Sequence, residues 1–223
     1  MNLDLDFAPV FASSDALLAG TLVTIEITLC ALLVGCSLGL LVGIARLNPH
    51  RRILYAASSA YVTLIRGTPL LVQLFIWYYG LPRFGVMLPS FFCGVIGLGL
   101  YSSAYISEIV RGAITSIERG QNEAARSLGM SGVQAMYKII LPQALVRMIP
   151  PLGNEFIALI KNSALVSLIT IQDVMQAGTT VISNSYRDLE TYLVVAGVYF
   201  VLTGISVVAL RYFEKRHHMK GVQ

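Results

Sequence analysis

Charged residues are scarce in this sequence. Asp, Glu, Lys and Arg make up 13% of its 223 residues, whereas 56% of the residues are hydrophobic. Soluble globular domains usually contain about 25% charged residues, so this composition excludes an ordinary soluble domain and predicts an all-α membrane protein with one domain, residues 1–223. The net charge of +4 is not gathered into one basic patch, and nucleic acid is therefore not expected as a partner.

Motifs for nucleotide binding, metal binding and catalysis are also missing. The sequence has no GxxxxGK[ST] run to hold phosphates, so we expect no ATP binding or hydrolysis by this chain and no cofactor of its own. Its three cysteines, Cys30, Cys36 and Cys93, lie in apolar segments without paired or metal-ligand spacing, which argues against a disulfide framework and a metal site. No serine lies in a histidine-bearing nucleophile motif, and no catalytic residue is predicted.

Long apolar segments occupy most of the chain. Five of them approach the ~20 residues that a helix needs to cross a bilayer, and they cover approximately residues 17–45, 54–79, 84–107, 141–171 and 192–210. These runs are continuously apolar and do not alternate with polar residues, so they predict helices and not barrel strands. We expect Pro150-Pro151 to break the fourth span. No basic residue precedes Arg46, so the first span lacks the basic flank of a cleaved signal peptide and is expected to remain.

Basic residues are distributed unequally between the segments that join these spans. Eleven lie on one side of the predicted membrane and two, Arg83 and Arg187, on the other. Because cytoplasmic loops carry the excess of Lys and Arg, this asymmetry predicts an outer N-terminus and a cytoplasmic C-terminus. The cytoplasmic set is Arg46, Arg51, Arg52, Arg111, Arg119, Arg126, Lys138, Arg211, Lys215, Arg216 and Lys220.

The longest polar segment, residues 111–138, separates the third span from the fourth and is predicted to be cytoplasmic. Asn122 to Leu128 is rich in helix-forming residues, and Gly129 then allows the backbone to turn. Apolar residues recur after the glycine at the spacing of one helical face, namely Val133, Met136, Tyr137 and Ile140. The pattern predicts two short helices separated by Gly129, although a solvated loop between spans remains an alternative.

Within this segment, Glu123-Ala124-Ala125 is followed at fixed intervals by Gly129, Ile139 and Leu141-Pro142. This arrangement resembles the EAA signature of the permease subunits of bacterial ABC importers. The resemblance implies that the loop is a coupling helix that docks into a groove on a cytoplasmic ATP-binding subunit. The residues expected to couple this chain to that ATPase are Gly120, Glu123, Ala124, Ala125 and Gly129.

Three further motifs extend the resemblance over most of the chain. Arg66–Leu71, Glu108–Gly112 and Asn154–Ile157 resemble the polar amino acid permeases of the histidine, arginine and glutamine transport group. The resemblance implies a five-helix permease of the type I importer architecture in the bacterial inner membrane, and a polar amino acid as substrate. It also implies a second permease chain, identical or related, two ATP-binding subunits that carry ATP and Mg²⁺, and an extracytoplasmic substrate-binding protein.

Small residues line one side of the first span. Ala31, Gly35, Gly39 and Gly43 follow one another at four-residue spacing, which places them on one helical stripe. Such a stripe lets the backbone of another helix approach closely. We therefore predict a close helix contact here, with a partner either in this chain or in a neighbouring one.

Charged residues inside the spans need an explanation, because a charge in hydrocarbon is unfavourable by a few kcal/mol or more. Glu26 lies early in its span and is expected to reach the outer interface. Arg66 precedes the helix-breaking run Gly67-Thr68-Pro69, and either pins the bundle or lines a wet pathway. Glu108 lies three residues before Arg111, and a local helical ion pair between them is expected.

Glu155 and Lys161 are the strongest candidates for substrate contact. A zwitterionic amino acid needs an anion for its ammonium group and a cation for its carboxylate, and this pair offers both. Six residues correspond to about 240° of helix rotation, so the two side chains are expected to face a cavity from different angles; a structural pair inside the bundle is the alternative. The predicted substrate-pathway residues are Arg66, Glu108, Asn154, Glu155, Lys161 and Asn162.

Two other classes of protein remain open at this point. A secondary transporter or channel driven by an ion gradient would need no ATPase partner, but the sequence shows no inverted repeat of the usual transporter kind. A membrane-embedded enzyme could use Glu108 or Glu155 as an acid or base. No companion histidine, serine or metal set accompanies either carboxylate, which argues against that class.

Overall fold

The computed structural model describes residues 5–218, with side chains as far as Lys215, and helices are the only regular secondary structure in this part of the chain. A short helix α1 (Ala8–Ala12) precedes the long helix α2 (Ser14–Ala45). The helices that follow are α3 (Arg52–Gly67), α4 (Leu70–Phe75), α5 (Ser90–Thr115), α6 (Arg119–Ser127), α7 (Gly132–Ala135), α8 (Leu141–Asn162), α9 (Val174–Ser185) and α10 (Asp188–His218).

Four continuous helical stretches are long and apolar enough to cross a membrane within the described residues: Ser14–Ala45, Ser90–Thr115, Gly132–Ile169 and Asp188–Lys215. A bent pair, Arg52–Gly67 with Leu70–Phe84, makes a fifth candidate if it is counted as one span. The predicted all-helical fold with five apolar segments is thus confirmed at the level of four to five spans. The third predicted span corresponds to α5, which begins at Ser90, six residues later than expected, and continues to Thr115.

The second apolar segment is not one straight helix. α3 and the helical segment after it meet at an angle of 105°, because Thr68 adopts an extended conformation before Pro69, as the residue before a proline commonly does. Gln73 compensates for the break, since its Nε2 donates to the carbonyl oxygens of Ile65 at 2.8 Å and Thr68 at 3.1 Å. Protein groups therefore satisfy the backbone that the bend exposes.

The expected break at Pro150-Pro151 is wrong. Helix α8 continues through both prolines, because the φ angle of proline is compatible with a helix. Buried residues on either side, Met148 and Leu159 among them, hold the two halves against the bundle. The fourth helical stretch also begins earlier than expected: α7 passes through a π-helical turn, Met136–Ile140, directly into α8.

The glycine stripe of α2 packs against α5 of the same chain. A Cβ atom built on Gly39 would lie 2.7 Å from Ile106 and 2.9 Å from the carbonyl oxygen of Ser103, and one on Gly43 would lie 2.9 Å from that of Ser107. Only glycine permits so close an approach of two backbones. The predicted close contact is confirmed, and its partner is α5 of this chain.

A buried polar group fixes the opposite, N-terminal end of α2. Asp173 is fully buried, accepts a hydrogen bond from the backbone N–H of Gln176, and so caps α9. It also accepts a hydrogen bond from the Tyr199 hydroxyl of α10 at 3.3 Å. Burial raises the pKa of Asp173 to about 6. One side chain thereby connects α9 to α10 at the end where α2 begins.

The polar segment between α5 and α8 forms two short helices, as predicted. Helix α6 ends at Ser127, and Gly129 then adopts a positive φ of 82° that reverses the chain. Ser131 begins the next helix with a capping box, in which its hydroxyl accepts from the Gln134 N–H and the Gln134 side chain accepts from the Ser131 N–H.

The α2–α5 contact predicts unequal effects for two glycine substitutions. Gly39→Ala places a methyl group 2.7 Å from Ile106, and overpacking of this kind typically destabilises by ~1–3 kcal/mol. Gly204→Ala in α10 meets nothing within 4 Å. Thermal unfolding in detergent should show a lower midpoint for Gly39→Ala and an unchanged or higher one for Gly204→Ala. Equal midpoints for the two variants would contradict this packing.

The turn after α6 predicts a similar contrast. Gly129→Ala meets no atom within 4 Å but keeps a φ of 82°, and a left-handed conformation disfavours alanine by ~1–2 kcal/mol. Gly120→Ala, in the open first turn of α6, should instead favour the helix. Hydrogen exchange of the α6 amides should be faster in Gly129→Ala and unchanged or slower in Gly120→Ala. Faster exchange in both variants would argue against strain at Gly129.

Candidate functional site

Helix α6 presents most of the predicted coupling residues to solvent. Gly120, Glu123, Ala124 and Gly129 are exposed, whereas Ala125 is buried with only 3% of its surface accessible. Ala125 therefore anchors the helix to the protein, and the neighbouring positions remain available to another molecule. The coupling role of these five residues stays a prediction.

Exposed apolar side chains surround the tip of this loop. Leu128 is 80% exposed, Val133 67% and Tyr137 68%. The apolar face predicted for the second short helix is thus divided, since Ile140 is buried and Met136 is partly buried against the bundle. Exposed apolar residues on an otherwise polar loop are typical of a protein interaction surface. The sequence pattern placed Val133 and Tyr137 on this apolar face but did not indicate which of its members would be exposed.

The segment predicted to couple to the ATPase, residues 111–138, is called the coupling loop. A recess of about 540 Å³ lies between this loop and the ends of α2 and α5. Its polar wall consists of the start of α6, including Asn122 and the carboxylate-bearing Glu123. Its apolar wall is formed by Leu47, Ile114, Ile117, Met136 and Ile140. Because Glu123 is both exposed and at the edge of this recess, it can meet a side chain that enters from outside the chain.

Direct contacts fix the loop to the membrane-spanning helices. Arg147 of α8 donates to the Ser116 carbonyl oxygen at 2.7 Å and to its hydroxyl oxygen at 3.0 Å. Ile117, just before α6, packs in a cluster with Ala144 and Met148 of α8. A force applied to α6 is therefore transmitted to α5 and α8 through hydrogen bonds and close-packed side chains.

Three arginines surround Glu108. Arg111 donates to Glu108 Oε2 at 3.1 Å and 2.7 Å, which confirms the expected ion pair within α5. Arg46 at the end of α2 donates to Glu108 Oε1, and Arg66 at the end of α3 lies 3.8 Å from the same oxygen. The structure thus brings together two predicted pathway residues, Arg66 and Glu108. Arg46 was interpreted from the sequence only as a topology signal.

Two tyrosines extend this cluster along α5. Tyr101, Tyr105 and Glu108 follow at intervals of four and three residues, so they share one helical face. The two hydroxyl groups are 3.1 Å apart, and the Arg66 guanidinium carbon lies 5.1 Å from the centroid of the Tyr105 ring. The sequence analysis missed both tyrosines, although their spacing from Glu108 on a membrane helix was a readable signal.

Glu155 of α8 approaches α5 beside this face. Its Oε1 accepts a hydrogen bond of 2.8 Å from Ser102, the residue that follows Tyr101. A polar stripe therefore runs along α5 from Glu155, past the two tyrosines, to the Glu108 cluster. We define the polar stripe as Glu155, Tyr101, Tyr105, Arg66 and Glu108.

The other predicted pathway residues do not join this stripe. Lys161 and Asn154 are exposed and Asn162 is partly buried, all on the same helix as Glu155. No ion pair connects Lys161 with Glu155 within residues 5–218. Because α8 remains helical as far as Asn162, the two side chains project at different angles. A contact of these three residues with substrate stays a prediction.

Comparisons with known proteins identify the family. Residues 35–218 match the family described as binding-protein-dependent transport system inner membrane component. The chain is 41% identical over 179 residues to the probable glutamine ABC transporter permease protein GlnM of Bacillus subtilis (strain 168). The aligned residues cover 80% of this chain and 82% of the relative. It is 35% identical over 201 residues to the arginine transport system permease protein ArtQ of the same organism, over 90% and 91% of the two chains.

Solved structures agree with this assignment. A crystal structure of an amino acid ABC transporter with histidines contains a chain that is 39% identical, with a TM-score of 0.91 over 96% of this chain and 100% of that one. The MetNI methionine ABC transporter, at 21% identity and a TM-score of 0.76 over 90% and 95% of the two chains, shares the fold. This chain belongs to the family of binding-protein-dependent transport system inner membrane components, among the amino-acid ABC transporter permeases.

Proposed function

We propose that this chain is the membrane subunit through which a bacterial ABC importer moves polar L-amino acids across the inner membrane. The observation that carries the proposal is the exposed helix α6, which presents Glu123 and Ala124 beside exposed apolar residues on a loop fixed to α5 and α8. A soluble partner can hold such a helix in a groove. Glutamine and arginine are the substrates named for two relatives, which supports a polar amino acid as cargo here.

The same proposal defines the partners. Five spans form a thin wall, so a pore needs two permease chains, either identical or related, around a two-fold or pseudo-two-fold axis. Two ATP-binding subunits lie on the cytoplasmic side, where ATP and Mg²⁺ are bound, and this chain is not itself an ATPase. An extracytoplasmic binding protein delivers the amino acid. The excess of basic residues on the α6 side supports a cytoplasmic loop, an outer N-terminus and a cytoplasmic C-terminus.

Transport follows from the rigidity of the contacts behind α6. Closure of the two ATP-binding subunits displaces α6, and the packing of Ile117 and the Arg147 hydrogen bonds transmit that displacement to α5 and α8. The pathway then changes from inward-open to outward-open. This requires that the two states of the ATPase hold the paired α6 helices at different separations, because a partner indifferent to the two states shifts no equilibrium.

The substrate pathway is proposed to follow the polar stripe. Arg66 and Glu108 lie nearer the coupling loop, and Glu155 of α8 contacts Ser102, near the middle of α5. The Glu155 carboxylate is suited to receive the ammonium group of an amino acid. Asn154, Lys161 and Asn162 contribute further polar groups on α8 as the helix turns.

Charge reversal on α6 tests the coupling role. Glu123→Lys should remove ATP-dependent amino acid uptake by proteoliposomes that contain the complete complex, because an attractive contact with the ATPase becomes repulsive. We expect uptake to fall at least tenfold, while the chain still inserts and Glu155 and its surroundings are unchanged. Substrate-stimulated ATP hydrolysis should fall with it.

Glu214→Lys serves as the matched control, since it reverses a charge near the cytoplasmic end of α10 and outside the coupling loop. Uptake by that variant should remain close to that of the wild type. Normal uptake by Glu123→Lys would remove the coupling assignment. Uptake by this chain alone, driven by an ion gradient without ATP, would favour a secondary transporter instead.

A further inference from the structure

Arg66 is a cation whose charge the protein leaves largely uncompensated. Its side chain is 45% exposed, and its contacts within the described residues are the 3.8 Å approach to Glu108 and the ring of Tyr105. It donates no hydrogen bond there, although a guanidinium carries five N–H donors. A cation within a membrane-spanning segment normally pairs with an anion or lines a wet cavity.

The single negative charge of Glu108 cannot neutralise the three arginines around it. One carboxylate faces three guanidinium groups, and Arg46 and Arg111 already make the short hydrogen bonds. The cluster therefore has an excess of two positive charges, and Arg66, the most distant and most exposed of the three, is the member available to a further anion.

Glu155, in contrast, is an acidic group without a basic partner within the described residues. It accepts one hydrogen bond from Ser102, and no basic group within the described residues lies within 4 Å of it. Tyr101 directly precedes Ser102, the donor to Glu155, on α5, and its hydroxyl lies 3.1 Å from that of Tyr105, whose ring carries Arg66. An anion without a cation and a cation without a full complement of anions thus flank one pair of aromatic rings.

We propose that Arg66, held over the Tyr105 ring, is the subsite for the substrate's α-carboxylate, opposite Glu155, and that Lys161 is not. The inference rests on the proposed function and names the part of the substrate that this site recognises. The planar guanidinium can hold a carboxylate through two parallel hydrogen bonds, which an ammonium group cannot do. Lys161, on a different face of the same helix as Glu155, does not share the tyrosine face.

Glu108 positions Arg66 in this account. While the site is empty, the carboxylate of Glu108 holds the guanidinium over Tyr105 at long range; a substrate carboxylate that arrives can then form the short contacts. Arg46 and Arg111 keep Glu108 satisfied during that exchange. Arg66→Gln should therefore leave the Glu108 cluster, and with it the fold, intact.

The test compares the two candidate cations in the complete complex. Uptake of radiolabelled L-arginine, L-glutamine and L-cystine first identifies the transported amino acid. Binding of that amino acid and of its α-carboxamide, which lacks the carboxylate charge, is then measured on the purified permease–ATPase complex in nanodiscs without binding protein. The variants are Arg66→Gln and Lys161→Gln, and assembly and ATPase activity are checked for each.

We expect the wild type and Lys161→Gln to prefer the amino acid to its carboxamide by at least tenfold, and Arg66→Gln to bind both about equally. Discrimination that persists in Arg66→Gln, or that is lost in Lys161→Gln, would overturn the inference alone. Uptake without measurable binding to the wild-type complex would overturn it as well. Uptake of none of the three amino acids would overturn the proposed function and the inference together.

Discussion

The close contact between α2 and α5 holds in place the helix that carries Tyr101, Tyr105 and Glu108. Glycines on α2 bring the two backbones together, and α5 then carries the tyrosine face on one side and continues into the coupling loop at its end. Helix association within a bilayer gains little from the hydrophobic effect, because the lipid is itself apolar. Close backbone packing therefore has to supply much of the attraction, and the glycine stripe makes it possible.

The arrangement of charges follows from the same constraint. Hydrocarbon disfavours a bare charge, so Glu108 gathers arginines from three helices, α2, α3 and α5, at one level of the bundle. That cluster links the ends of α2 and α3 to α5 by ionic contacts. It also leaves positive charge in excess, which turns a structural contact into a site that can receive an anion.

The sequence predicted much of this architecture because long apolar segments and basic loops are local signals. The glycine stripe, the Gly129 turn and the Glu108–Arg111 pair could all be read from spacing. The run Gly67-Thr68-Pro69 indicated a helix break, but the angle of 105° and its stabilisation by Gln73 could not be read from it. The approach of Arg46 and Arg66 to Glu108 depends on three helices meeting, which no short spacing encodes.

At Pro150-Pro151 a local sequence signal predicted a helix break that the structure does not contain. Pro150-Pro151 predicted a break because proline removes a helical hydrogen bond, yet tertiary packing on both sides keeps α8 continuous. Helix α8 also stays helical from Glu155 to Lys161, so the two side chains project at different angles, as their spacing predicted.

The most direct test of the account is whether α6 meets a separate ATP-binding subunit on the cytoplasmic side. A single cysteine at Ala124, an exposed position of α6, can be introduced after Cys30, Cys36 and Cys93 are replaced by alanine. In membranes that contain the whole complex, a reagent with one thiol-reactive and one amine-reactive end should cross-link this cysteine to a lysine of the ATP-binding subunit, and a membrane-impermeant maleimide should not reach the cysteine in intact cells. Labelling from outside the cell, with no cross-link to any ATPase, would contradict the account.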